Sequence, residues 1–229
     1  MQTQTLTAVL DAQRNRQALV LITPLDGGSE EIVREDAFDR GHDHAGTIAE
    51  CFRTGRSTVV EAGDGELFFQ AFLPAPRIMI IGATHIGQVL VRLAREVGIE
   101  PLVIDPRTAF ATEERFRDVD IITEWPGEAL QKLGLDRRCG VVCLAHVPDI
   151  DDEALGAALE SDCFYIGALG SSRSHAKRLE RLKEKGCAEA GFGRIHGPVG
   201  LDIGSVSPAE IALSIIAEIV KDLRSDPAE

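Results

Sequence analysis

The sequence predicts an α/β fold, a doubly wound parallel sheet preceded by a small α+β N-terminal domain, and three observations carry that prediction. A short continuous apolar run, Ile78 to Ile81, ends in a glycine bend at Gly82, as expected of a strand buried on both faces of a parallel sheet. Apolar residues at Ile86, Val89, Leu90, Leu93, Ala94 and Val97 follow at the spacing of a one-faced helix, stopped by Gly98. Leu102 to Ile104 form a second buried run ending in Asp105. Together they make a β-α-β unit of the Rossmann-like type, with a glycine bend at its first crossover and a carboxylate closing its second strand.

The chemistry of that unit is anion binding. Gly82 permits a sharp turn, and the amides that open the next helix carry about half a positive charge, which suits a phosphate. Gly87 allows helix and strand to approach closely. Asp105 stands where a carboxylate accepts hydrogen bonds from a ribose or another polyol. The middle glycine of the usual G-x-G-x-x-G is replaced by Thr84, so a Cβ and a hydroxyl stand where a pyrophosphate would press closest, and His85 shares the same mouth. An ordinary nicotinamide cofactor is therefore less favoured than the fold itself.

Residues 1–73 read as the small α+β domain. Leu6, Val9 and Leu10 mark an amphipathic helix, Ala18 to Ile22 a strand, and Asp26-Gly27-Gly28 a turn from which Glu31 to Arg34 pairs back. His44 to Arg53 reads as a helix ending near Gly55. Ser57 to Glu61 and Glu66 to Phe72 form a hairpin around Gly63-Asp64-Gly65. His42 and His44 lack further ligands nearby and read as a solvated helix start rather than a metal site. Pro74-Ala75-Pro76 is stiff and extended, so the second domain is expected over 77–229.

In that second domain Arg107 reads equally as a phosphate contact or a surface cation. Glu113 to Phe116 suggests a helical turn, Ile121-Ile122 a third strand, and Pro126 to Leu133 a helix with proline in its first turn. Gly140 to Ala145 is a fourth strand, leading to His146. Loops at the carboxyl ends of parallel strands form the ligand crevice, so His146 is expected to point into it and exchange protons near neutrality. Asp151-Asp152-Glu153 reads as a set of carboxylates answering a helix dipole.

Cys163 to Ile166 is a fifth strand, followed by a second glycine bend, Gly167-Ala168-Leu169-Gly170-Ser171-Ser172-Arg173, and a helix from about Ser174 to Lys185. Gly167 and Gly170 shape the turn. Ser171, Ser172 and Arg173 with the helix-terminal amides would hold an oxyanion. The basic face Arg173, Lys177, Arg178, Arg181 reads as a solvated helix face, with docking of an acidic partner as the alternative. Residues 195–204 form a Gly/Pro-rich segment in which His196 and Asp202 either line the crevice or belong to a rigid edge loop. Ser207, Pro208 and Glu210 are a capping box that opens the last helix.

A formal net charge of −13 over 229 residues argues against sequence-independent nucleic-acid binding and anionic membranes. Five cysteines without a C-x-x-C pair fit reduced thiols rather than a zinc site. The N-terminus lacks a signal-peptide pattern and no apolar run reaches spanning length, so a cytoplasmic protein is expected. No triad, paired catalytic acids or metal cage stands out, so no residue is assigned a catalytic or metal-ligating role.

Residues 77 to 223 resemble the C-terminal Rossmann domain of the XdhC/CoxF family, accessory proteins of xanthine dehydrogenase and carbon monoxide dehydrogenase type molybdenum hydroxylases. The resemblance rests on Ile-Asp-Pro-Arg-Thr-Ala-Phe-Ala-Thr-Glu-Glu-Arg-Phe (104 to 116), Phe-Tyr-Ile-Gly-Ala-Leu-Gly-Ser (164 to 171), His-Ala-Lys-Arg-Leu (175 to 179) and Ile-His-Gly-Pro-Val-Gly-Leu-Asp-Ile-Gly (195 to 204). It implies a chaperone that binds molybdenum cofactor, as molybdopterin or its dinucleotide, and protects it while a cysteine desulfurase adds the terminal sulfur. It further implies a molybdenum hydroxylase apo-enzyme as recipient and a homodimeric state. Gly82, Thr84, His85, Gly87, Asp105, Arg107, His146, Gly167, Gly170, Ser171, Ser172 and Arg173 are the expected cofactor-binding residues. Ligation of molybdenum by Cys143 or Cys163 is open, with core filling the more ordinary role for buried strand thiols. The runner-up is an NAD(P)-dependent oxidoreductase, and a third reading is an interaction module using the basic helix.

Overall fold

In the computed structural model, which describes residues 3–225 except 64, 113 and 118, the chain divides into two units, one ending at Ala75 and one spanning Pro76–Ser225. The first unit contains α1 (Thr3–Arg14), β1 (Leu19–Pro24), β2 (Glu31–Arg34), α2 (Ala45–Thr54), β3 (Thr58–Ala62) and β4 (Gly65–Phe72). Its four strands pair antiparallel in the order β2-β1-β4-β3. Side chains alternate across β1: Leu19 and Leu21 meet Val9 and Ala12 of α1, while Val20 and Ile22 meet Ile48 and Cys51 of α2. The expected helix forms and buries Val9, but Leu6 and Leu10 are exposed, and Thr5 and Ala12 complete its inner face. The tip of the β3–β4 hairpin, Asp64, lies outside the described residues. His42 is half-buried and pairs with Glu31 at 3.2 Å, and the His44 ring sits edge-on to Phe69, so neither is simply solvated.

The second unit runs β5 (Arg77–Ile81), α3 (His85–Glu96), β6 (Glu100–Ile104), β7 (Asp120–Ile122), α4 (Pro126–Leu133), β8 (Cys139–Cys143), α5 (Pro148–Leu159), β9 (Tyr165–Ala168), α6 (Ser172–Glu184), β10 (Ile195–His196) and α7 (Pro208–Arg224). All six strands pair parallel in the order β10-β9-β8-β5-β6-β7. The chain winds outward from β5 to β7, then returns to β8 on the other side of β5 and winds outward again. The strand order therefore reverses between β5 and β8, the position at which doubly wound sheets open a crevice.

Each face of this sheet is covered. Met79, Ile81, Val141 and Cys143 pack with Leu130 of α4, Leu155 and Ala158 of α5 and Leu182 of α6. Ile78, Ile80, Val103 and Val142 pack with Leu90 and Ala94 of α3 and Ile215 and Ile219 of α7. β10 is an addition to the strands expected from sequence; two residues suffice to extend the sheet beside β9. Where a helical turn is expected over 113–116, residues 114–116 form a turn and a bend closed by the Arg115 and Phe116 amides, which both donate to the Thr112 carbonyl at 3.1 Å; residue 113 lies outside the described residues. Phe116 is nonetheless buried in the α3/α7 layer.

Candidate functional site

The first bend is closed from within. Gly82 adopts φ +109°, and a Cβ there would stand 2.5 Å from the backbone nitrogen of Ala145, so β5 and the segment after β8 meet without a side chain between them. The next amide, Ala83 N–H, donates to Asp105 Oδ2 at 2.7 Å. Arg107 donates to the same carboxylate from its backbone N–H (3.0 Å), Nε (2.9 Å) and Nη2 (2.8 Å), and its guanidinium lies 4.9 Å from the Phe110 ring centre. Asp105 is fully buried. Burial pushes its carboxyl up, but the Arg107 hydrogen bonds and the Ala83 amide outweigh that and hold it below its ordinary value.

Asp105 is thus held by the fold, its oxygens accepting from the Ala83 amide and from Arg107. Its lone pairs are taken by the very bend they were expected to serve. Arg107 is likewise neither a free surface cation nor a free phosphate contact. Thr84 caps α3, its hydroxyl accepting from Gly87 N–H at 3.2 Å, and Gly87 is needed because a Cβ would lie 3.1 Å from the Gly82 carbonyl. His85 is exposed, with Nδ1 3.2 Å from Gln88 Oε1.

The second bend is open. Ser171, Ser172 and Arg173 are exposed. Ser171 forms a capping box with Ser174, which starts α6 two residues before the expected helix and commits the Ser171 hydroxyl. Gly170 has φ +146°, and a Cβ there would be 3.1 Å from Ser174 Oγ and 3.7 Å from Arg178 Nη2. Gly167 is not part of the mouth: it is buried inside β9, where a Cβ would strike Val199 and the Tyr165 ring.

Between the bends the structure buries charges that the sequence suggested for a helix start and a solvated helix face. Asp151 and Asp152 of α5 are 2% and 1% exposed, and Arg178 of α6 is 3% exposed. Asp152 receives a bidentate pair from Arg181, 2.7 and 2.9 Å, with Lys185 at 3.6 Å. Asp152 and Arg181 therefore answer each other across the α5–α6 contact; of the basic face only Arg173 and Lys177 are exposed.

Asp151 and Arg178 behave differently. Arg178 Nη2 donates to the Leu169 carbonyl at 2.7 Å, and Nη1 lies 3.5 Å from His175 Nδ1. Its Nε has no partner, nor has Asp151 Oδ1, although both atoms are buried. Leaving a buried polar atom unmatched costs about 1–3 kcal/mol. Burial raises the Asp151 carboxyl to about 6, against the pull of Arg178 and of the backbone amides of His146 and Ala145. Asp151 in turn adds to the field that raises Arg107. His146 is exposed and sits at φ +57°, a left-handed conformation that is costly for a residue with a Cβ.

Gly82, Asp105, Arg107, His146, Asp151, Arg178 and Gly170 thus converge at the carboxyl ends of β5, β6, β8 and β9. Other candidates do not join them. The His196 ring stacks on Tyr165, with Nε2 2.9 Å from Asp222 and Nδ1 3.4 Å from Glu218, so it ties β10 to α7. Cys143 and Cys163 are buried, and burial raises both thiols, Cys143 far above its usual value. Among the described residues no group of three His, Cys, Asp or Glu side chains could hold a metal ion, and no helix is long and apolar enough to cross a membrane.

Residues 78–219 match the family model of the XdhC Rossmann domain. The chain belongs to the XdhC family. Its relatives include a probable xanthine dehydrogenase component of Bacillus subtilis, 32% identical over 68% of this chain and 45% of its own length. The molybdenum cofactor insertion chaperone PaoD of Escherichia coli is 30% identical over 66% of this chain and 42% of its own. A crystal structure from Bacillus halodurans described as a xanthine dehydrogenase superposes with a TM-score of 0.68 at 27% identity, covering 96% of this chain and 64% of that one. The chain spans less than half the length of the curated relatives it matches.

In this XdhC domain the residues that sequence reasoning missed are Asp151 and Arg178. A signal was available: acids at the start of α5 and bases spaced along α6 lie on consecutive helices of one sheet face, where opposite charges meet. Their burial was not legible, because a carboxylate in a first helical turn is equally at home in water.

Proposed function

We propose that this chain binds molybdenum cofactor and acts as an insertion chaperone for a molybdenum hydroxylase apo-enzyme of the xanthine dehydrogenase type. The observation that carries the reading is the XdhC match across residues 78–219, beside a relative named for cofactor insertion. The geometry is compatible with it. The mouth at the sheet's reversal point offers an open helix start at Ser171–Arg173, an exposed His146 and two buried polar atoms that lack partners. These suit a phosphorylated organic ligand with hydrogen-bonding ring edges. With no cluster of three metal-ligating side chains among the described residues, the metal would be carried by the ligand's own dithiolene. When bound, the molybdenum of that cofactor would supply the redox chemistry of the recipient enzyme. The chain's residues hold, shield and release it, which requires binding rather than transition-state stabilisation.

The finer parts of the proposal are that a cysteine desulfurase sulfurates the bound cofactor and that the chaperone works as a homodimer. The sequestration of Asp105 and the hydroxyl at Thr84 disfavour an NAD(P) site of the usual geometry. The test is to purify the full chain from cells making the cofactor. Pterin is then measured by fluorescence after oxidation, and molybdenum by mass spectrometry. Retained pterin and molybdenum, slowed cofactor decay and activation of an apo-hydroxylase are expected. A chain that holds no pterin and leaves decay unchanged is not a cofactor chaperone. Titration with NADH and NADPH serves as the control, with no saturable binding expected.

A further inference from the structure

α4 and α5 pack side by side on one face of the sheet and leave an open cleft of about 420 Å³ between them. Leu130 and Leu135 on one side and Ala157 on the other give it an apolar lining, and Gly127 and Gly134 keep the α4 wall low. The cleft reaches Leu135 and Ser161, in the connections that lead into β8 and β9. It therefore runs toward the amino ends of the strands, away from the mouth at their carboxyl ends.

The polar groups at its rim are unanswered. Gln131 and Glu160 line it and are exposed, and neither side chain forms a hydrogen bond or an ion pair among the described residues. Glu153, two turns before Glu160 on α5, reaches across to α4: its Oε1 stands 2.7 Å from where a Gly127 Cβ would be. The nearby cations are engaged elsewhere. Lys132 of α4 pairs with Glu124 at 2.7 Å, and Arg194 donates to the Leu159, Ser161 and Cys163 carbonyls at 2.8–3.1 Å. α5 has no basic residue in its last turn, where the negative end of a helix favours a cation. An apolar lining beneath an unmatched carboxylate and carboxamide complements a cation carried on an aliphatic stem.

We infer that the α4–α5 cleft docks an arginine side chain from a basic, leucine-bearing segment of a partner protein. The stem lies on Leu130, Leu135 and Ala157, and the guanidinium donates to Glu160 and to Gln131 Oε1. Arginine fits better than lysine because its planar fork meets a carboxylate and a second acceptor together. The cleft follows α4 from Gly127 to Gly134, about two turns, so the chain on either side of the anchor can continue along it. Trp125, 49% exposed just before Gly127, offers that continuation an aromatic contact. A net charge of −13 attracts such a segment and repels a second copy of this chain. The inference does not rest on the cofactor reading.

Trp125 is the chain's single tryptophan, so its fluorescence reports on the cleft. The full-length chain is titrated at physiological ionic strength with a short peptide of leucine, alanine and arginine, and with its citrulline and lysine counterparts, with calorimetry alongside. Saturable binding of the arginine peptide is expected, with the citrulline peptide about tenfold weaker and the lysine peptide between them. Glu160→Gln, an exposed change that spares the core, is expected to cost about fivefold in affinity. Ala157→Phe, which fills the cleft, is expected to abolish binding, with melting curves showing that it is folded. Absence of saturable binding, equal affinity for the citrulline peptide, or unchanged affinity in Glu160→Gln overturns the inference. So does an equal loss in Glu61→Gln, an exposed carboxylate of β3, which would reduce the effect to bulk charge. A concentration-dependent fluorescence change without peptide that Glu160→Gln removes would assign the cleft to a second copy and overturn the inference as well.

Discussion

The two glycine bends of the parallel sheet are built from the same topological device and end in opposite states. At Gly82 a buried carboxylate reaches in from the end of β6, takes the Ala83 amide and is neutralised by Arg107. At Gly170 no carboxylate enters, the polar residues after it are exposed, and the nearest guanidinium keeps a free donor. A strand-to-helix glycine turn is therefore not in itself a phosphate cradle. What decides is whether the amides it exposes are already answered from inside the protein.

The hardest way to break this contrast is to add one methyl group at each bend. Gly82→Ala places a Cβ 2.5 Å from the Ala145 nitrogen at φ +109°, against backbone that cannot move aside. Strain of this kind together with overpacking is expected to cost about 4 kcal/mol, lowering the urea midpoint or preventing folding. Gly170→Ala meets the movable Ser174 hydroxyl at 3.1 Å and is expected to cost about 1–2 kcal/mol. Equal losses in chemical denaturation would mean that both bends are closed.

Next in size is Asp105→Asn. It leaves Arg107, partly exposed and able to turn to water, without its counter-charge, for an expected loss of about 2–3 kcal/mol at neutral pH. Because the folded-state pKa of Asp105 is lowered, its contribution is present above the ordinary carboxylate pKa and disappears as pH falls through the lower folded value. The gap between wild type and variant should therefore narrow in acid.

Asp151→Asn should run the other way. The folded pKa of Asp151 is raised, from 3.8 to about 6, so the folded state binds more protons than the unfolded one in that window and stability falls as pH rises. The full rise corresponds to about 3 kcal/mol at alkaline pH. With relaxation around the amide, the variant is expected to be about 1–2 kcal/mol more stable than wild type at pH 8 and no more stable at pH 4. A destabilised variant at pH 8 would show that the carboxylate is matched after all. A stabilising change at a site residue fits the usual tension between stability and function.

The opposite signs of these two aspartates also mark how far the sequence could be read. The alternation of apolar runs and one-faced helices made the doubly wound sheet legible, because burial on two faces leaves an uninterrupted aliphatic strand such as Ile78 to Ile81. The two-residue β10 carries no such pattern and is invisible to it. In the site, Gly82, His146 and Gly170 were legible as the residues at strand ends. That Asp105 turns inward and Asp151 is buried depends on partners 22 and 27 residues away, Ala83 and Arg178. No local spacing encodes that.

The finest probe compares the two helix caps. Thr84 caps α3 through Gly87, and Ser171 caps α6 through Ser174 in a reciprocal box. Replacing either by alanine leaves one first-turn amide, Gly87 or Ser174, without its acceptor and is expected to cost about 1 kcal/mol, with Ser171→Gly costing only a few tenths. The two helices pack on opposite faces of the sheet, so in a double-mutant cycle the losses should add within about 0.5 kcal/mol. A larger interaction energy would mean that the bends share a load through the charges between them. Adding the cofactor should then leave Thr84→Ala unaffected and deepen the loss in Ser171→Ala, because a buried carboxylate takes the amide at the first bend whereas the polar residues after the second are exposed.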